Sequence, residues 1–175
     1  MARATLRKWR VVETINSGAY RDKFVIDGVS KKASNELCKT AKSIIKRHDG
    51  AAVESYAFID NKGNKLAQAV VGDHGGRVDV NVLSKLGEKS LILIHNHPSS
   101  GGFSLRDTQL FLTTLQLSSI IAVGRKGNVS ILTKPTDNID LSTFYSKFFP
   151  YKDKLKEEGA VKKSLIDLGL KLIEV

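Results

Sequence analysis

Two histidines one residue apart, His95 and His97, stand directly after the apolar run SLILI and directly before Pro98. In an extended chain, residues i and i+2 project to one side about 6.6 Å apart, so both imidazoles can converge on a single ion. Asn96 then faces away, and Pro98 ends the strand pairing. Asp107 follows His97 by ten residues, after a loop holding Ser99, Ser100, Gly101 and Gly102 that can fold the carboxylate back. Two imidazoles and one carboxylate leave a tetrahedral zinc with one open position, which a water fills. Zinc lowers the pKa of such a water from roughly 15.7 to about 7. A hydrolase also needs a general base beside that water and a donor for the developing oxyanion. Glu54, at the start of a strand expected to neighbour His95, is the candidate base; Ser104, close to Asp107, is the candidate donor. Ser104-Leu105-Arg106-Asp107 also fits a helix-capping box, with Asp in place of the usual Glu or Gln, and the two roles are compatible.

The elements that must position these residues are legible in part. Residues 90–94 (SLILI) read as a strand buried on both faces, delivering the chain into His95. Residues 54–60 (ESYAFID) and 65–71 (KLAQAVV) read as a hairpin around Asn61-Lys62-Gly63-Asn64. Ser104 opens a helix whose main apolar positions are Leu110, Phe111, Leu115 and Leu117. Residues 120–123 and 129–132 read as paired strands. Upstream, residues 10–16 (RVVETIN) and 23–27 (KFVID) read as two short strands around Ser17-Gly18. Residues 30–48 carry Ala33, Leu37, Ala41, Ile44 and Ile45 at helical spacing, with a Lys-rich outer face. Residues 77–80 read as a further strand and 82–86 as a brief helix capped by Asn81. Beyond Lys134-Pro135, residues 141–149 and 161–173 read as helices broken by Pro150 and Gly159, the second with an apolar stripe of Leu165, Leu168 and Leu172.

These elements make three parts: a basic segment with short strands (1–29), a core (30–135) and a C-terminal helical extension (136–175). Alternating strands and helices imply an α/β or α+β domain with a central mixed sheet flanked by helices. The chain has 175 residues and a formal net charge of +10, of which +7 falls in residues 1–50. That asymmetry admits nucleic acid as a partner through the basic N-terminal segment (Arg7, Lys8 and Arg10), against the simpler reading of a solvated surface. No apolar run reaches the length of a membrane span, and none follows the basic start as a secretory leader would require. One cysteine, Cys38, excludes an internal disulfide and any multi-cysteine zinc site. The expected compartment is the cytoplasm. His74, in the GDHGG loop at 72–76, reads as an exposed loop histidine.

Glu54, then His95-Asn96-His97-Pro98, then Ser104-Leu105-Arg106-Asp107 resembles the Glu, HxHP and SxxD pattern of the JAMM or MPN-plus metallopeptidases, also called JAB domains. HNHPS is most similar to the RadC-like and phage-associated branch, and the strand ESYAFID with its hairpin is similar to the family's Glu-bearing strand. The resemblance covers about residues 30–135; the loop from His97 to Ser104 is one residue shorter than is usual in the family. It implies the MPN/JAB fold and zinc-dependent hydrolysis of a peptide or isopeptide bond. His95, His97 and Asp107 would be the zinc ligands, Glu54 the base and Ser104 the oxyanion donor. The substrate would be a protein or peptide, such as a ubiquitin-like conjugate or a phage structural protein. The competing expectation is a non-catalytic or DNA-associated module of a phage or mobile element. Contiguous His95-Asn96-His97 is not the distributed signature of HNH nucleases, and a cytidine-deaminase zinc needs a cysteine pair that one cysteine cannot supply.

Overall fold

Residues 14–47, 54–70, 85–97, 102–124, 126–135 and 139–175 are described by the computed structural model. The expected strands at 77–80 and the short helix at 82–86 fall wholly or mostly outside them, as do His74, Arg7, Lys8 and Arg10. The architecture is a mixed α/β one, organised around the apolar run that carries the histidines. α1 (Gly18–Asp22) and α2 (Lys31–Arg47) precede the hairpin β1 (Ser55–Asp60) and β2 (Lys65–Val70). β3 (Leu91–His97), α3 (Leu105–Thr113) and β4 (Leu117–Gly124) follow as a crossover unit, then β5 (Val129–Thr133). α4 (Leu141–Lys152), α5 (Glu157–Asp167) and β6 (Lys171–Glu174) complete the chain. The six strands form one sheet in the order β2-β1-β3-β4-β5-β6. Only β3 and β4 are parallel, joined through α3; every other pair is antiparallel.

β3 is central, and its first six residues are buried, as a strand covered on both faces must be. The period of two sorts them. Leu91 and Leu93 join Phe58, Phe111, Phe144 and Leu165 on the face covered by α3, α4 and α5. Ile92 and Ile94 join Ala57, Ile59, Leu37 and Tyr20 on the face covered by α1 and α2. The same alternation carries His95 and His97 to the α3 side and Asn96 to the α2 side. Burial of this kind stabilises by roughly 25 cal/mol per Å² of apolar surface, so both cores hold the strand that bears the site.

α2 buries Ala33, Leu37, Ala41 and Ile44 as its spacing predicts. It docks against the β1–β2 turn at Gly63, where φ is +87° and an added Cβ would stand 2.7 Å from the Ala33 backbone nitrogen. Only glycine satisfies both conditions.

Four local expectations need correction. The short strands read around Ser17-Gly18 are not formed in residues 14–27: Ser17 caps α1, its Oγ accepting from the Tyr20 N–H at 3.3 Å. Phe24 and Ile26 are buried there without joining the sheet. The final helix ends at Asp167 instead of running to 173. Gly169, at φ +73°, reverses the chain, with the Leu170 N–H bonded to Leu165 O at 3.1 Å, and the remaining residues pair with β5 as β6. Pro150 and Gly159 do not break the helices: α4 runs through Pro150 to Lys152, and Gly159 lies in the first turn of α5, where backbone N–H groups have no intrahelical acceptor to lose. Of the apolar positions read for the helix after Ser104, Leu110 is exposed at 45%, Leu115 lies past the helix end and is exposed at 44%, and Leu117 opens β4; Phe111 and Leu112 are the buried ones. Among the described residues no helix is long and apolar enough to cross a membrane.

Candidate metal centre

The crossover from β3 to α3 brings the end of a strand and the start of a helix together, and the three expected ligands meet there. The Nε2 atoms of His95 and His97 are 2.8 Å apart. His97 Nε2 is 3.1 Å from Asp107 Oδ2, and His95 Nε2 is 3.4 Å from Asp107 Oδ1. His95 is buried, and His97 and Asp107 are half-buried. This cluster can hold a metal ion. Ligand bonds of about 2.0–2.1 Å at the tetrahedral angle place ligand atoms about 3.3 Å apart, close to the observed triangle.

The capping box of α3 orients the carboxylate. Ser104 N–H and Ser104 O–H both donate to Asp107 Oδ2, at 2.9 and 2.6 Å, and the Asp107 N–H donates back to Ser104 Oγ at 3.2 Å. Oδ2 thus carries the cap, and Oδ1 is left facing His95. The Ser104 proton is directed at the carboxylate. In this state Ser104 is a positioning group for Asp107.

Electrostatics bind the three together. Burial raises the Asp107 pKa, but hydrogen bonds from His95, His97 and Ser104 outweigh it and hold the carboxyl well below the usual range. His97 is raised, first by its hydrogen bond to Asp107 against the opposing effect of burial, then by the charges of Asp107, Glu54 and Glu158. A metal requires neutral imidazole, so its binding must expel a proton from His97 at any pH below that raised value. Affinity is therefore expected to climb with pH and level off above the His97 titration. Calorimetry in buffers of different ionisation heat reads the released proton; constant affinity from about pH 5 to about pH 8 would contradict this coupling.

Glu54 is half-buried, immediately before β1. Tyr56 pairs with His95 across the antiparallel β1–β3 ladder, so the register continued by two residues sets Glu54 opposite His97 on the same face. Asn96, buried on the other face, fixes that register: its Oδ1 accepts the Ser55 N–H at 2.7 Å. Sequence reasoning placed Asn96 facing away but missed this bond, whose partners lie 41 residues apart. Asn96→Ala removes the acceptor of a buried N–H and should cost about 1–3 kcal/mol, read as a lower denaturant midpoint at unchanged slope.

A second residue went unseen. Glu158, in the first turn of α5, accepts the Gly102 N–H and brings another carboxylate to the rim of the site. Its only sequence signal is an acidic residue at a helix start, which the helix dipole explains at many helices. His95 Nδ1 is buried and finds no partner among the described residues. The chain matches no family model, no curated protein and no solved structure.

Proposed function

We propose that this chain is a zinc-dependent hydrolase of the JAMM or MPN-plus type, cleaving a peptide or isopeptide bond. The observation that carries the reading is the convergence of His95, His97 and Asp107, with ligand atoms 2.8–3.4 Å apart, beside the strand that bears Glu54. His95, His97 and Asp107 would hold the zinc. Bound there, zinc supplies a Lewis acid and a water of lowered pKa. Glu54 takes a proton from the attacking water and returns it to the leaving amine. Ser104 keeps Asp107 aligned, and its hydroxyl turns from Oδ2 to the developing oxyanion when substrate enters. The proposed substrate is a protein or peptide, of which a ubiquitin-like conjugate and a phage structural protein are the two classes to try first. A single, buried, free Cys38 is compatible with work in a reducing cytoplasm.

Metal analysis of the purified protein together with cleavage profiling tests the proposal. Stoichiometric zinc that disappears in His95→Ala, and cleavage of at least one conjugate class by wild type alone, are the expected results. Protein prepared without chelator that holds no metal would overturn it.

A further inference from the structure

The face of the sheet opposite the histidines carries a second feature that the hydrolase reading does not use. A cleft of about 720 Å³ opens between α1 and α2, lined by Arg21, Lys39, Lys42, Lys46 and six neutral residues. Four of these residues are cationic and none is acidic, aromatic or a large aliphatic. Lys39, Lys42 and Lys46 recur at i, i+3 and i+7, one stripe along α2, with Arg21 facing them from α1. Lys39 is partly satisfied by Glu36 at 3.7 Å. Among the described residues Arg21, Lys42 and Lys46 have no carboxylate partner. Burial raises the Cys38 thiol pKa, while the charges of Lys42 and Arg21 oppose it, so both cations bear on the floor of the cleft.

Like charges three and four residues apart on a helix repel by a few tenths of a kcal/mol per pair, so the stripe works against α2 unless an anion meets it. A small organic ligand is held mainly by apolar walls, which this cleft lacks. At about 1.5 Å per residue, the stripe from Lys39 to Lys46 runs roughly 10 Å. One strand of a duplex carries a phosphate per 3.4 Å of axis, so about three phosphates span that length. We propose that the cleft between α1 and α2 binds the phosphodiester backbone of a nucleic acid without reading its bases, through Arg21, Lys42 and Lys46. Ser43, Asn16 and Asn35 add neutral donors beside the cations. The site stands on its own, whether or not the metal centre is a peptidase.

Fluorescence anisotropy with a labelled DNA duplex across a salt series tests it on the full chain. Three phosphate contacts predict a slope of log affinity on log salt near −2.7, about a 40-fold loss between about 50 and about 200 mM salt. The triple variant Arg21→Gln, Lys42→Gln, Lys46→Gln should bind at least tenfold more weakly at low salt, with its slope reduced toward zero. A control with the same net charge, Lys147→Gln, Lys154→Gln, Lys156→Gln on exposed positions of the C-terminal region, should bind like wild type. Unchanged binding by the cleft variant, or equal loss in the control, would overturn the proposal. Displacement of duplex by inorganic phosphate at matched ionic strength would also overturn it, reassigning the cleft to free phosphate. Zinc content and cleavage should be the same in both triple variants, so failure here and failure of the hydrolase reading are separate results.

Discussion

Glu54→Gln is expected to leave the metal bound at wild-type stoichiometry and to lower turnover by about 10²–10⁴-fold, the usual contribution of a positioned acid or base. The two side chains have nearly the same shape, so the antiparallel register that sets residue 54 opposite His97 is kept. What disappears is an acceptor able to hold a proton between the attacking water and the leaving amine. The loss should therefore fall on kcat and leave KM within a small factor. The His97 pKa should also fall, because Glu54 is one of the charges that raise it. That second readout, by NMR titration of the metal-free protein, reports whether Glu54 faces the site at all. Unchanged turnover with a lowered His97 pKa would place Glu54 beside the metal but remove it from the chemistry.

The residues of this site were legible because their signals are local. A run of four buried aliphatics reads as a central strand, i and i+2 share a face, and a Ser followed three residues later by Asp marks a helix start. The capping box was read as compatible with a role in the site, and the geometry shows the same bonds orienting the Asp107 carboxylate toward both histidines. Glu158 and the Asn96–Ser55 bond were not legible, since each joins residues far apart in sequence through a strand order that no local pattern encodes. The same limit explains β6. Leu165, Leu168 and Leu172 fall at helical spacing, and nothing within that window says that β5 has a free edge waiting for residues 171–174. Gly169, with its positive φ, is the local stop signal in that stretch. At the other end, β-branched residues in RVVETIN and KFVID outweighed Ser17, whose oxygen caps a short helix instead of turning a hairpin. Tertiary packing of Ile15, Tyr20 and Phe24 against α2 decides that segment.

Asp107→Asn should abolish stoichiometric metal binding while leaving α3 capped. Asparagine still offers one oxygen to the Ser104 N–H and O–H, and its backbone N–H still donates to Ser104 Oγ. Its amide group, however, presents donors or a weaker acceptor where both histidines need an anion. The loss of affinity should exceed the 10–100-fold that follows removal of an outer-shell partner. Ser104→Ala is the contrast: it keeps the charge and both histidine contacts but loses the cap, costing about 0.5–2 kcal/mol of stability. Its metal affinity should fall by only about 10–100-fold. In metal-free protein the two substitutions also separate by pH. The depressed Asp107 pKa contributes stability above the ordinary carboxylate value, lost as pH falls through the folded one. The raised His97 pKa contributes below the ordinary imidazole value, lost as pH rises through the folded one. The two overlap between about pH 4 and about pH 6.5, where Asp107→Asn should lower the melting temperature most. Competition with a chromogenic chelator and melts in EDTA measure both effects. Wild-type zinc affinity in Asp107→Asn would remove the aspartate from the ligand set and leave two histidines, too few to define a hydrolytic centre.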